Sequence, residues 1–254
     1  MSNAIPAYVS GPIDRCFNSL INLAELLHMS MRGISVVCNF PKMDEHLIDL
    51  TIKAEKEVTD KLRTQLEESK RLASFADREA NHGFPFLNAF STVAAWGTLE
   101  VAVEDALLGI LINEPESLNA EAITKIRVPL AKYEALDKEE RMRFILQELA
   151  RGQAITIGQG VSAFENLLCV FGLSGEVDDG VKKSLWEMNH VRNIVVHRDS
   201  LADQRFVQAC PWMNVKPGDR VLIDHERFWR YIDAVSGYLK SLRQRVGKRY
   251  LVST

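Results

Sequence analysis

The chain contains little cysteine, and its cysteines are far apart. Four occur among 254 residues, at Cys16, Cys38, Cys169 and Cys210. They form no CxxC pair, and no histidine lies at zinc-ligand spacing from them. A secreted domain stabilised by disulfides is usually shorter and richer in cysteine. We therefore expect reduced thiols, a cytoplasmic protein and no metal site.

Long apolar runs and an excess of basic residues are also missing. The longest charge-free apolar stretch, residues 83–99, is interrupted by Pro85 and several polar residues, which is typical of a core helix rather than a membrane span. Residues 1–10 lack a basic segment followed by an apolar one, so we predict no signal peptide and no membrane partner. The formal net charge of −3 provides no general attraction to nucleic acid. Any contact with RNA would need a local basic patch.

The remaining pattern predicts an almost entirely helical protein. Apolar residues recur at three- and four-residue intervals within residues 15–32 and 45–81. Asp44 can cap a single long helix over the second range. The narrow apolar stripe of that helix fits either a solvated outer helix or a coiled segment that forms a dimer.

A segment that is apolar on nearly all sides follows at residues 86–112, and it predicts the central helix of a bundle. Glu100 and Glu104 interrupt it on one side, beside Asp105. A carboxylate on a central helix needs a partner, because burying an unpaired charge is costly. These two glutamates either form ion pairs that hold the bundle together or support a functional site on a neighbouring helix.

The second half of the chain continues the helical pattern. Further helices are predicted at residues 120–133, 138–151, 161–171, 178–197 and 225–246. A turn-rich stretch at residues 198–224 separates the last two helices, and residues 220–223 within it have the pattern of a short strand.

The end of the predicted helix 178–197 combines residue types that suit phosphate chemistry. It reads Arg192-Asn193-Ile194-Val195-Val196-His197. Asn193 and His197 are four residues apart and share one helix face. Arg192 lies about 140° around the helix from His197, but its long side chain can bend toward the same place.

The spacing Arg-x4-His is weak evidence when taken alone. With 18 arginines and six histidines in the chain, and with three gap lengths permitted between the arginine and the histidine, about one match is expected by chance. A second match, Arg220 to His225, lies in the turn-rich stretch with an apolar residue after the arginine, and we interpret it as structural. A structural role is also open for the first match: Arg192 would pair with an acidic neighbour, and His197 would be a polar residue at a helix C-terminus.

The flanking sequence separates the two matches. It reads Trp186-Glu-Met-Asn-His-Val-Arg-Asn-Ile-Val-Val-His-Arg-Asp199, followed by Asp203-Gln-Arg-Phe206 and Cys210-Pro-Trp212, with Trp96-Gly-Thr-Leu-Glu100 upstream. Together these segments resemble the HEPN superfamily of helical proteins over about residues 86–246. The resemblance implies a HEPN-like helical bundle with a short turn- and strand-rich insert before the last helix. We predict one helical domain over residues 1–254, with a HEPN-like core at 86–246 and an N-terminal helical extension at 1–85.

The resemblance also implies an activity. Many members cleave RNA without a metal or other cofactor, which leads us to expect an endoribonuclease of the toxin or anti-phage defence type. In this expectation His197 transfers protons, because a histidine pKa of about 6.5 is close to working pH. Arg192 binds the phosphate through its planar, charged guanidinium, Asn193 orients the site, and Glu100 and Glu104 support it.

The resemblance further implies partners. Two signature helices typically face each other across a homodimer, and an antitoxin or a defence-system protein is a further expected partner. The alternative is a catalytically inactive HEPN-like interaction module that regulates another protein. A nucleotide-binding module is disfavoured, because Gly158-Gln159-Gly160 lacks the residues that complete a phosphate loop. His190, seven residues before His197, either lines the same helix face as His197 or lies on the surface of the bundle, and we expect the surface.

Overall fold

The computed structural model describes residues 5–156 and 160–251, and every regular element in these ranges is helical. The all-α prediction is confirmed. The helices are α1 (Ala7–Val37), α2 (Phe40–Lys53), α3 (Asp60–Asn81), α4 (Pro85–Asn113), α5 (Glu121–Thr124), α6 (Leu130–Glu134), α7 (Lys138–Thr156), α8 (Val161–Val170), α9 (Asp179–Arg198), α10 (Gln204–Ala209) and α11 (His225–Leu251). Among the described helices, none combines the length and the apolar character needed to cross a membrane. Gly158 and Gln159 of the disfavoured phosphate loop lie outside the described residues.

The segment predicted as one helix over residues 45–81 is two helices. Helix α2 ends at Lys53 and α3 begins at Asp60. Glu55 between them has a φ of 56°, in the left-handed region that interrupts a right-handed helix. Thr59 then caps α3, because its hydroxyl accepts a hydrogen bond from the Leu62 N–H at 3.4 Å. The prediction of a single long helix is therefore wrong, and the longest N-terminal helix is α1, with 31 residues.

Helices α2 and α3 pack against each other. Asp44 on α2 accepts hydrogen bonds from two side chains of α3, Gln65 at 2.6 Å and Ser69. Asp44 was expected to cap a helix, and it instead joins two helices. The apolar stripe that periodicity assigned to one straight helix is thus divided between two helices that fold back on each other.

Contacts within the chain define two compact units. The first contains Met1–Ile21, Thr92–Val221 and Trp229–Thr254, and the second contains Asn22–Ser91 and Leu222–Phe228. Three of the four unit boundaries fall inside α1, α4 and α11, and the fourth, between Val221 and Leu222, lies in the segment before α11. The boundary predicted between residues 85 and 86 on the basis of resemblance stays a prediction.

Aromatic side chains around α4 form the core of the first unit. Trp96 of α4 stacks on Phe164 of α8 with ring centroids 5.5 Å apart, and Phe164 lies 6.2 Å from the ring of Tyr238 on α11. Leu99 and Leu107 continue this buried surface along α4. The prediction that the apolar segment 86–112 forms a central helix is confirmed for the part of α4 that belongs to the first unit, from Thr92 onward.

Helix α9 has clear signals at both ends. The Asp178 carboxylate accepts hydrogen bonds from the N–H groups of Gly180 at 2.8 Å and Val181 at 3.1 Å, which caps the first turn. Asp199 ends the helix in a left-handed conformation with a φ of 50°. The observed bounds differ by one residue from those predicted. The helix buries Leu185, Met188, Val191 and Ile194, so its opposite side is left for other contacts.

The stretch between α9 and α11 contains helix α10, a 3₁₀ turn at Pro211–Met213 and a single antiparallel bridge between Leu201 and Arg220. The N–H of Ala202 donates to the carbonyl of Asp219, and the N–H of Val221 donates to the carbonyl of Ser200. This pairing is too short to form a strand in the described residues. The strand predicted at residues 220–223 is not confirmed.

Candidate functional site

A pocket of about 300 Å³ opens where α9 ends and α10 begins. Asn193 and His197 of the signature segment both line it, as expected for residues four apart on a helix. His197 is exposed and Asn193 is half-buried, so both are accessible to a ligand. The other polar side chains that line the pocket are His190, Arg198, Asp203 and Arg205.

Arg192 points toward a different neighbour. Its guanidinium lies 3.6 Å from the carboxylate of Glu100 on α4, and each side chain is about one third exposed (32% and 35%). A second guanidinium nitrogen of Arg192 donates to the Asn193 Oδ1 at 3.0 Å. Arg192 therefore connects to the pocket through Asn193, in line with its position about 140° around the helix from His197.

This bond leaves the amide N–H groups of Asn193 for another acceptor. An asparagine amide has one oxygen that accepts and one nitrogen that donates two hydrogens. Because Arg192 holds the oxygen, the nitrogen is the part of the side chain that a ligand oxygen in the pocket would meet.

Glu104 lies away from this pocket. It lines a separate cavity of about 190 Å³ with Arg143 of α7 and Leu167 of α8. Burial raises the pKa of the Glu104 carboxyl, as does repulsion from Glu100 and Asp105, and Arg143 partly opposes the change. Of the two glutamates predicted to support the site, the structure brings only Glu100 to the signature segment.

His190 lines the pocket, although the sequence predicts a surface role for it. Its ring centroid lies 4.9 Å from that of Trp186, and burial lowers its pKa while the negative charge of Asp203 opposes this. The heptad spacing between His190 and His197 was the available signal. Periodicity alone could not show that α10 would complete a concave surface beside both rings.

The charges around the pocket favour an anion. Arg198 and Arg205 are both exposed, and Asp203 is the one carboxylate among the lining residues. Asp203 is already engaged, because it caps α10 by accepting the Phe206 N–H at 2.8 Å and lies 4.0 Å from Arg198. This is the local basic patch that an acidic chain needs in order to contact phosphate.

The second Arg-x4-His match has a structural arrangement. The Arg220 guanidinium pairs with the Asp199 carboxylate at 2.7 Å. Arg220 also takes part in the single β-bridge, with Leu201. Its role in closing the segment after α9 agrees with the structural interpretation.

A buried carboxylate, Glu187, fixes α9 in place. Glu187 accepts hydrogen bonds from Tyr231 at 2.7 Å and from Arg230, both on α11, and from the indole of Trp212 in the 3₁₀ turn. No sequence motif marks this group, because these donors lie 25 to 44 residues away from Glu187. It holds the signature helix against α11 and the segment that follows α10.

No family model, curated protein or solved structure matches this chain. The HEPN resemblance therefore stays a prediction that depends on the segments 96–100 and 186–212. Among the described residues, His, Cys, Asp and Glu side chains form no group of three that could hold a metal ion.

Proposed function

We propose that the protein is a metal-independent endoribonuclease of the toxin or anti-phage defence type. The observation that supports this most is the shared pocket of Asn193 and His197, which also contains Arg198 and Arg205. A phosphodiester needs cationic groups around the phosphate and a group that transfers protons near neutral pH, and arginine and histidine meet these needs.

The proposed reaction is attack of the 2′-hydroxyl of RNA on the adjacent phosphate. The 2′-oxygen–phosphorus bond forms and the bond from phosphorus to the 5′-oxygen breaks. The products are a 2′,3′-cyclic phosphate and a 5′-hydroxyl. His197 transfers a proton, the Asn193 amide donates to a phosphate oxygen, and Arg192 holds Asn193 with the help of Glu100. Glu104 is not part of this site, since it lies in the separate cavity with Arg143.

The direct test is cleavage of a panel of transfer, ribosomal and messenger RNAs by purified protein, with EDTA present. Wild type is expected to leave cyclic phosphate ends, and His197→Ala is expected to abolish cleavage without a change in helix content or thermal midpoint. Arg220→Ala is the matched control, because it removes the arginine of the other Arg-x4-His match. Equal activity of wild type and His197→Ala would refute the proposal.

A homodimer is part of the proposal, with the signature helices as the contact. Val196 is an apolar residue of the signature segment that is 50% exposed, which a subunit contact would cover. We expect Val196→Asp to reduce the mass measured by light scattering from that of a dimer to that of a monomer. An unchanged mass would place any dimer contact elsewhere.

The second candidate is an inactive HEPN-like interaction module. Three apolar residues on one side of α2 favour it, because Met43, Leu47 and Leu50 are 63%, 45% and 49% exposed. This hypothesis predicts that wild type cleaves no RNA and that it binds a partner protein. The Leu47→Asp variant should lose that binding. RNA cleavage that depends on His197 would exclude it.

A further inference from the structure

His190 and His197 lie on the same side of α9. Seven residues make almost two helical turns, so the two side chains differ by only about 20° around the axis and about 10.5 Å along it. Both line the pocket between α9 and α10. In a phosphodiester placed between them, one ring would face the attacking 2′-oxygen and the other ring would face the leaving 5′-oxygen.

The surroundings of His190 hold its ring in place. The ring packs on Trp186, whose indole N–H donates to the carbonyl of Ala209 at 2.9 Å. Nε2 of His190 is buried and has no hydrogen-bond partner in the part of the chain that the structure describes. Burial of the ring lowers the pKa of His190 and so favours the neutral imidazole. Because Nε2 is buried, Nδ1 is the ring nitrogen that would take a proton from a ligand in the pocket.

Charged groups face the two rings from both helices. Arg198 follows His197 at the end of α9, Arg205 lies in the first turn of α10, and Asp203 precedes that turn. The two arginines outnumber the one carboxylate, and that carboxylate also caps α10. The pocket thus combines a neutral histidine, a second histidine and two cations that can bind phosphate oxygens.

We propose that His190 is the general base and His197 the general acid of the cleavage site, with Arg198 and Arg205 binding the phosphate between them. The inference rests on the proposed ribonuclease function and adds a second catalytic residue to it. His190 takes the proton from the 2′-hydroxyl as the 2′-oxygen bonds to phosphorus. His197 gives a proton to the 5′-oxygen as its bond to phosphorus breaks. One chain then provides both proton-transfer groups.

The first test compares His190→Gln with wild type across pH 5 to 8. General base catalysis contributes about 10² to 10⁴-fold, so we expect a loss of that size in kcat. We also expect the rise in rate between pH 5 and 7 to disappear, because no group at position 190 remains to be deprotonated. His46→Gln is the matched control, since His46 is exposed on α2 and is not among the residues that line the pocket, and it should keep the wild-type rate and profile.

The second test separates the base from the acid. RNA with sulfur in place of the bridging 5′-oxygen at the mapped cleavage site has a leaving group that needs no proton. We expect His197→Gln to recover most of its lost rate on this substrate, while His190→Gln stays slow. Recovery by His190→Gln instead would overturn the assignment of the two roles.

A third test asks whether both histidines act within one chain. Mixed dimers of His190→Gln and His197→Gln subunits have one histidine missing from each pocket, so we expect them to stay inactive. Recovery of about half of the wild-type rate would show that the histidines act across subunits and would overturn the single-chain arrangement.

Failure of this inference differs from failure of the proposed function. If wild type cleaves RNA and folded His190→Gln keeps its rate and pH profile, the role of His190 is refuted and the ribonuclease remains. If wild type cleaves no RNA, both are refuted. Should His190→Gln not fold, NMR of wild type decides: titration with inorganic phosphate should shift the ring signals of both His190 and His197, and a shift of His197 alone would refute the role of His190.

Discussion

Arg192 of α9 and Glu100 of α4 form an ion pair with 3.6 Å between guanidinium nitrogen and carboxylate oxygen. The pair turns Arg192 away from His197, which lies in the pocket with Asn193. Because Arg192 also donates to the Asn193 Oδ1, Glu100 acts on the pocket through two side chains. In the proposed enzyme, Glu100 is therefore a positioning residue and makes no contact with RNA.

Replacing Glu100 by glutamine should reduce cleavage more than stability. Loss of the charge frees Arg192 to leave Asn193, and we expect kcat to fall about tenfold, which corresponds to about 1.4 kcal/mol in the transition state. The KM should change little. The free energy of unfolding should fall by less than about 1 kcal/mol, because the pair is partly exposed to solvent. Steady-state kinetics and urea unfolding measure the two effects, and Glu100→Asp should restore part of the rate.

Glu104→Gln is the matched control for this prediction, one turn further along α4. Its cleavage rate should equal that of wild type. The raised pKa of Glu104 in the folded protein means that its ionised form is disfavoured there, so the stability it provides is present below its unfolded pKa and is lost as pH rises through the folded pKa. The variant should thus be slightly more stable at pH 7, by less than about 1 kcal/mol after solvent screening. An equal loss of kcat in both variants would contradict a specific role for Glu100.

The lowered pKa of His190 predicts how stability depends on pH. Burial disfavours the charged ring, so the unfolded chain binds a proton more readily than the folded one. The stability linked to His190 is present above the unfolded pKa of about 6.5 and is lost as pH falls through the lower folded pKa. Between pH 7.5 and 5.5, urea unfolding should show a larger loss for wild type than for His190→Gln. If the free energy of unfolding fell with pH equally in wild type and His190→Gln, the pKa of His190 would be the same in the folded and unfolded chain.

The Glu187 group should be a large contributor to stability. Its side chain is only 2% exposed and accepts hydrogen bonds from Trp212, Arg230 and Tyr231. Glu187→Ala leaves these donors without their shared acceptor, and we expect a loss of about 3 kcal/mol in the free energy of unfolding. Glu176→Ala, at an exposed position of the same unit, should change it by less than about 0.5 kcal/mol. Similar losses in the two variants would show that the hydrogen bonds of Glu187 do not contribute to the free energy of unfolding.

The cysteines should differ in their reaction with iodoacetamide. Cys169 is exposed, whereas Cys16 and Cys210 are buried. Burial raises the pKa of both buried thiols to about 12, with the charge of Glu187 adding to the effect at Cys210. Because the thiolate is the reactive form, mass spectrometry of the native protein at pH 8 should find Cys169 alkylated and these two unmodified. Their rapid labelling without denaturant would contradict the packing around α1 and the segment after α10.

The two matches to the Arg-x4-His pattern show which structural features can be predicted from short stretches of sequence. The helical pattern predicted the bounds of α9 to within one residue, and the i,i+4 relation placed Asn193 and His197 together. The same reasoning placed Glu100 and Glu104 on one side of α4. The two glutamates lie about 6 Å apart along the helix axis. Over that distance the helix beside α4 differs, because Glu100 pairs with Arg192 of α9 and Glu104 lies beside Arg143 of α7.

The sequence by itself determined the helical class, the central apolar helix and the position of Asn193 and His197, because each depends on periodicity and capping within a few residues. Only the tertiary structure decided that residues 45–81 fold back as two helices and that Arg192 pairs with Glu100. It also decided that His190 joins the pocket. These outcomes depend on contacts between residues far apart in sequence, such as those between α9 and α10. A local sequence pattern does not indicate which distant surfaces come into contact.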